Sequence, residues 1–166
     1  MEDLGDGILR VCAILNKHHI DYLVVGGIAV GFHGYFRKSI GPDGTIAPKI
    51  DLDLWYNPTY ENYFKLLSGL EELGQNVQVF KQEQSPNPKT SFFKFELENL
   101  TLDLLPEIKA KLKFNASFRN KEVVSQQGII IPYINYNDLI KDKEAMTRPK
   151  DLEDIRKLED QRNKSK

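Results

Sequence analysis

The run Ile50-Asp51-Leu52-Asp53-Leu54-Trp55-Tyr56 places the first limit on the fold. Apolar and acidic residues alternate there with period two, the pattern of a β-strand with unlike faces. Leu52 and Leu54 hold one face in a core, and Asp51 and Asp53 then share the other face. Asn57-Pro58 marks the end of the strand, because the residue before a proline is pushed out of a continuing regular structure. Such a strand needs a sheet with its apolar side covered, and the rest of the chain supplies the parts.

Asp21 to Val25 reads as a buried strand closed by Gly26-Gly27, and Ile28 to His33 as a helix packed on the sheet. A helix over 4–18 precedes them. Thr59 is placed to cap a helix carrying Tyr63, Leu66, Leu67, Leu70 and Leu73, ended by Gly74. Val77–Phe80, Phe92–Leu97, Leu100–Leu105 and Gly128–Tyr133 read as further strands. Residues 107–120 read as helix, then loop. Asn137 or Asp138 is placed to cap a helix through Lys143 to Ala145. Pro149 fits the first turn of a last helix over about 149–160, with a frayed polar tail over 160–166. The expected fold is α+β (α/β-like), a mixed twisted sheet flanked by helices in a single domain over 1–158.

Length and composition exclude several classes. The chain has 166 residues, enough for a core of its own. Lysine and arginine total 23 against 24 acids, so the chain lacks the basic excess of a general nucleic-acid coat. The one cysteine, Cys12, precludes a disulfide framework. No apolar run approaches bilayer length, and the start is acidic where a secretory signal is basic. The expectation is a soluble cytoplasmic protein.

The chemistry-bearing residues are the acids and the diglycine. Two carboxylates side by side on one strand face raise each other's pKa unless a cation lies between them, and hard oxygen ligands suit Mg²⁺. Asp103, in Thr101-Leu102-Asp103-Leu104-Leu105, is a third acid inside an apolar strand. Three such carboxylates can serve two metal ions in phosphoryl or nucleotidyl transfer. Wet strand faces account for the same spacings. Gly26-Gly27 lets backbone approach a phosphate closely, and a tight turn with no ligand accounts for it equally. No P-loop and no dinucleotide fingerprint is present. Arg37, Lys38, Lys141, Lys143, Arg148 and Lys150 are cations available to a triphosphate or to solvent. Asp151, Asp154, Arg156 and Glu159 are spaced as a solvated helix face. Phe92, Phe93, Phe95, Tyr133 and Tyr136 read as core or rim, His33 as structural, and His18-His19 as a helix end.

Taken in order, Val25-Gly26-Gly27, Ile50-Asp51-Leu52-Asp53-Leu54 and Leu102-Asp103-Leu104 resemble the DNA-polymerase-beta type nucleotidyltransferase superfamily. The likeness is closer to its small bacterial abortive-infection toxin and orphan nucleotidyltransferase-like group. That likeness rests on Val25 to Val30, His33-Gly34-Tyr35-Phe36-Arg37, Lys143, and Arg148-Pro149-Lys150-Asp151-Leu152-Glu153-Asp154-Ile155. It spans roughly residues 20–158. The resemblance implies a nucleotidyltransferase fold and an enzyme moving a nucleoside monophosphate from an NTP, ATP included, to a hydroxyl. Asp51 and Asp53 would bind two Mg²⁺ (or Mn²⁺) ions, and Asp103 the catalytic one while taking the hydroxyl's proton. Gly26, Gly27, Arg37, Ser39, Lys143 and Arg148 would bind the nucleotide. The acceptor would be an RNA end, a protein or a small molecule. The chain departs from the pattern at Ile28, where a serine is usual, and in the insert Ile40 to Lys49, which has the glycines and prolines of a loop. A catalytically silent NTP sensor, or one half of a toxin–antitoxin-like pair with a cognate protein partner, is the alternative.

Overall fold

The computed structural model describes residues 5–35 and 49–164. Arg37, Ser39 and the loop expected over 40–48 lie outside the described residues. The strands are β1 (Tyr22–Val25), β2 (Ile50–Tyr56), β3 (Phe93–Glu96), β4 (Leu100–Leu105), β5 (Glu122–Gln126) and β6 (Ile129–Tyr133). They form one mixed sheet in the order β3-β4-β2-β1-β6-β5. Central β2 runs parallel to β4 and antiparallel to β1. The helices are α1 (Gly5–Lys17), α2 (Gly26–Phe32), α3 (Tyr60–Glu72), α4 (Gln78–Lys81), α5 (Phe114–Arg119), α6 (Tyr136–Met146) and α7 (Pro149–Lys164). This is the expected α+β architecture, a mixed sheet flanked by helices.

Register separates the two faces of the sheet. Leu52, Leu54, Leu102, Leu104 and Phe93 fall on one face, all buried. Leu15, Tyr63, Leu66 and Leu70 of α1 and α3 are buried in the same core cluster. Burying a leucine or phenylalanine contributes about 1.5–3 kcal/mol, so this layer holds the sheet together. The opposite face carries Asp51, Asp53 and Asp103, with Trp55 beyond them sealed by an edge-on contact with Phe114 at 5.3 Å. Thr59 caps α3 by accepting from the Asn62 backbone N–H at 3.2 Å. The Asn62 side chain in turn accepts from Asp21 N (2.7 Å) and donates to the carbonyls of Asp21 (3.0 Å) and Asn57 (2.9 Å), tying α3 to the ends of β1 and β2.

Several expectations are corrected. Val77–Phe80 is not a strand. Asn76 Oδ1 accepts from Gln78 N at 3.1 Å and starts the short helix α4, with Val77 buried and Val79 exposed. The cap of α6 is Asn135, two residues before Asn137 and three before Asp138, and it accepts from Asp138 N at 2.9 Å. The last helix runs to Lys164, past the expected end at 160 and into the tail read as frayed. Arg156 pairs there with Glu153 at 2.9 Å and Asp160 at 3.8 Å, which supports the exposed turns. An unexpected strand, β5, forms a hairpin with β6 through Gln127-Gly128, both at positive φ. That two-residue turn matches the twist of the strands it joins. Among the described residues no helix is long and apolar enough to cross a membrane.

Candidate active site

The parallel pairing of β2 and β4 sets Asp53 directly beside Asp103, on the same face. Val25 lies in register with Asp53 on its other side, so the chain turns into α2 next to the carboxylate. Gly26 begins that turn at φ +68°, and a Cβ there would run into the Asp53 carboxylate. Only glycine meets both demands. Val25 supplies no side-chain cap to α2.

Asp53 is half-buried and its pKa is raised from 3.8 to about 7. Burial is the largest cause, followed by the charge of Asp103 and a hydrogen bond with it, then the charge of Asp51; Lys143 opposes them. A buried oxygen of Asp103, Oδ1, has no hydrogen-bond partner. Two crowded carboxyls with an unsatisfied oxygen form a hard-oxygen donor set whose chemistry fits a divalent cation. Asp51 is exposed, in register with Thr101. Among the described residues no set of three His, Cys, Asp or Glu side chains is gathered to hold a metal. Asp53 and Asp103 are the two carboxylates that the strand register sets side by side, with Asp51 two residues away on the same strand.

The C-terminal basic residues are differently placed from what spacing suggests. Lys143 is 1% exposed, and its Nζ lies 3.2 Å from both Asp151 Oδ1 and Asp154 Oδ2. Those two acids are fully buried, which corrects their reading as a solvated helix face. Arg148 donates from Nε to Asp151 Oδ2 at 2.6 Å and from Nη2 to Oδ1 at 3.1 Å. Burial pushes the Asp151 pKa up, but Arg148 and Lys143 outweigh it and hold the carboxyl below its ordinary value. Hydrogen bonding to Asp151 raises the Arg148 pKa, and Asp53 also contributes. Lys143 and Arg148 thus form an ion network whose field reaches Asp53. Only Arg148 presents its head to solvent.

A cavity of about 540 Å³ opens beside the acids, its lining including Gly26, Asp53, Thr90, Phe92, Ile108 and Asp142. Tyr56, whose hydroxyl donates to the Pro88 carbonyl at 2.8 Å and lies against that of Ser91, anchors the loop bearing Thr90 and Phe92. Sequence reasoning missed Asp142, and took Phe92 for core or rim. It also missed Lys94, which stands in register across from Asp103. The alternation Phe93-Lys94-Phe95 was the available signal for Lys94. His33 is structural as expected: its Nε2 lies 2.8 Å from the Ile134 carbonyl oxygen.

No protein-family model matches the chain, and no curated protein matches it in sequence. Solved structures do. The antibiotic-resistance factor ANT(2″)-Ia in solution aligns at 18% identity and a TM-score of 0.52, covering 91% of this chain and 80% of its own. A crystal structure of ANT(2″)-Ia in complex with adenylyl-2″-tobramycin aligns at 18% identity and 0.50, covering 91% and 84%. An antigenic nucleotidyltransferase-like protein from Paracoccidioides brasiliensis aligns at 12% identity and 0.46, covering 92% and 73%. The six-stranded mixed sheet and its helices have a nucleotidyltransferase fold.

Proposed function

We propose that the chain is a metal-dependent nucleotidyltransferase, moving a nucleoside monophosphate from an NTP to a hydroxyl with release of pyrophosphate. The observation that carries this reading is the Asp53–Asp103 pair, in register on adjacent parallel strands and pressed against Gly26. A divalent cation bound by the pair would screen the charge of the triphosphate. Gly26, buried against Asp53, sets the turn, and half-buried Gly27 presents backbone to the phosphates. The acceptor oxygen forms a bond to the α-phosphorus, and the bond to the bridging oxygen breaks. Pyrophosphate leaves with that electron pair, and the hydroxyl proton passes to Asp103, whose Oδ1 has no other partner. Asp51 adds negative charge that favours the cation. Lys143 and Arg148 hold their charges near Asp53 from within the ion network, and the head of Arg148, bidentate to Asp151 but half exposed, is the one that can face a phosphate. Arg37 and Ser39 are proposed as further nucleotide contacts.

The ANT(2″)-Ia complex holds a nucleotidylated antibiotic, which supports a small hydroxyl compound as acceptor; RNA ends and proteins are the other classes to test. A silent NTP-sensing or toxin–antitoxin-like module is the second reading. It is favoured by Ile28, which stands where the resembled superfamily usually has a serine. Labelled NTPs incubated with these acceptor classes and Mg²⁺ separate the two readings. Transfer lost in Asp53→Asn supports the enzyme, and NTP binding with no transfer to any class supports the sensor.

A further inference from the structure

The cavity beside Asp53 contains a group that the transfer step does not use. Asp142 lines it and is fully buried. Its Oδ1 accepts from the backbone N–H groups of Lys109 (2.9 Å) and Ala110 (3.2 Å), which fills that oxygen. Its Oδ2 is buried with no hydrogen-bond partner. Buried carboxylate oxygens are almost always satisfied, so an orphan in a cavity lining is matched to a donor that is absent here. The remaining lining divides sharply. Val25, Phe92, Leu105, Pro106, Ile108 and Met146 are apolar, Gly26 and half-buried Asp53 mark the acidic end, and Lys89, Thr90, Glu107 and Lys109 are exposed at the rim. Phe92 is 50% exposed, which leaves an aromatic side chain free for contact.

We infer that this cavity is the nucleobase subsite of the proposed transferase, with Phe92 as stacking surface and Asp142 Oδ2 accepting from an exocyclic amino group. The inference rests on the nucleotidyltransferase reading. A largely apolar chamber with an aromatic side chain, and with Asp142 as its fully buried acceptor away from the Asp53 end, suits a planar heterocycle. The free oxygen also sets a preference. Adenine, cytosine and guanine each offer an exocyclic N–H, whereas uracil offers only a ring N–H flanked by two carbonyls that the carboxylate repels.

The test is titration calorimetry of ATP, CTP, GTP, UTP, purine riboside triphosphate (adenine without its amino group) and inorganic tripolyphosphate. Each is titrated with Mg²⁺ into wild type, Asp142→Asn and Phe92→Ala. The wild type should bind ATP about tenfold or more tightly than UTP or the purine riboside analogue, the loss expected for one charge-assisted hydrogen bond. Asp142→Asn should erase most of that preference and leave tripolyphosphate binding unchanged. Phe92→Ala should weaken every nucleotide alike. Equal wild-type affinity for all nucleotides, or an unchanged ranking in Asp142→Asn, overturns the base subsite and leaves the transferase reading intact. Should Asp142→Asn not fold, the wild-type ranking and Phe92→Ala decide. Failure of tripolyphosphate and every nucleotide to bind overturns both.

Discussion

Replacing Asp53 by asparagine should stabilise the metal-free protein, and the gain should depend on pH. The Asp53 carboxyl titrates near 7 in the fold, against 3.8 for the ordinary group, because it is buried beside Asp103. The folded state therefore holds this proton more tightly than the unfolded state does. Below about pH 3 both states are protonated and the group contributes nothing to stability. Between about pH 3 and 7 the unfolded chain ionises first, and folding stability falls as pH rises. Above about pH 8 the loss is complete. At about 1.36 kcal/mol per tenfold change in proton affinity, it is on the order of 4 kcal/mol. Asparagine keeps the shape and carries no charge, so it releases most of that repulsion. For a chain of this size each kcal/mol moves the melting temperature by about 2–4 °C. Structural relaxation takes up part of the penalty in the wild type. A rise of at least about 4 °C in EDTA at pH 8 is expected, shrinking to nothing near pH 3. Mg²⁺ should lift the wild type toward the variant and leave the variant nearly still. Differential scanning fluorimetry from pH 3 to 8 reads this directly. A variant that melts with the wild type at pH 8, or a gain independent of pH, refutes the account of crowded carboxyls.

Three other substitutions test separate parts of the structure. Gly26→Ala combines a positive φ with collision into Asp53; it should cost about 1–2 kcal/mol from the backbone alone, seen in urea unfolding, and should abolish Mg²⁺-dependent NTP binding. Lys143→Met leaves Asp151 and Asp154 buried without their ammonium and should destabilise by about 3–5 kcal/mol, whereas a solvated-face origin predicts almost no change. Asn62→Ala removes three hydrogen bonds joining α3 to β1 and β2 and should lower stability by about 2–4 kcal/mol in the same assay, with the acidic pair undisturbed.

Period-two alternation was enough to read β2 and β4 from sequence, because each has one fully buried leucine face. Placing Asp53 beside Asp103 required the parallel pairing of those strands, about fifty residues apart, which no local pattern specifies. β5 escaped because Glu122–Gln126 lies at the sheet edge with no fully buried side chain, so its alternation is weak. Its turn, Gln127-Gly128, carried the better signal. Asp151 and Asp154 were misread for a different reason. Their spacing is that of an exposed face, and only the approach of Lys143 from α6 turns them inward as a neutralised cluster. Asp142 follows the same logic, since its partners are backbone groups of residues 109 and 110, more than thirty positions earlier.

In the proposed reaction the Asp53–Asp103 pair and the Gly26 turn bind a metal-bound nucleoside triphosphate. Titration calorimetry with each of the four NTPs, in Mg²⁺ and then in EDTA, on wild type and on Asp51→Ala/Asp53→Ala, tests it without knowledge of the acceptor. Saturable binding that needs Mg²⁺ and vanishes in the double variant is the predicted result. Absence of binding by every NTP, or binding indifferent to both Mg²⁺ and the carboxylates, would contradict it.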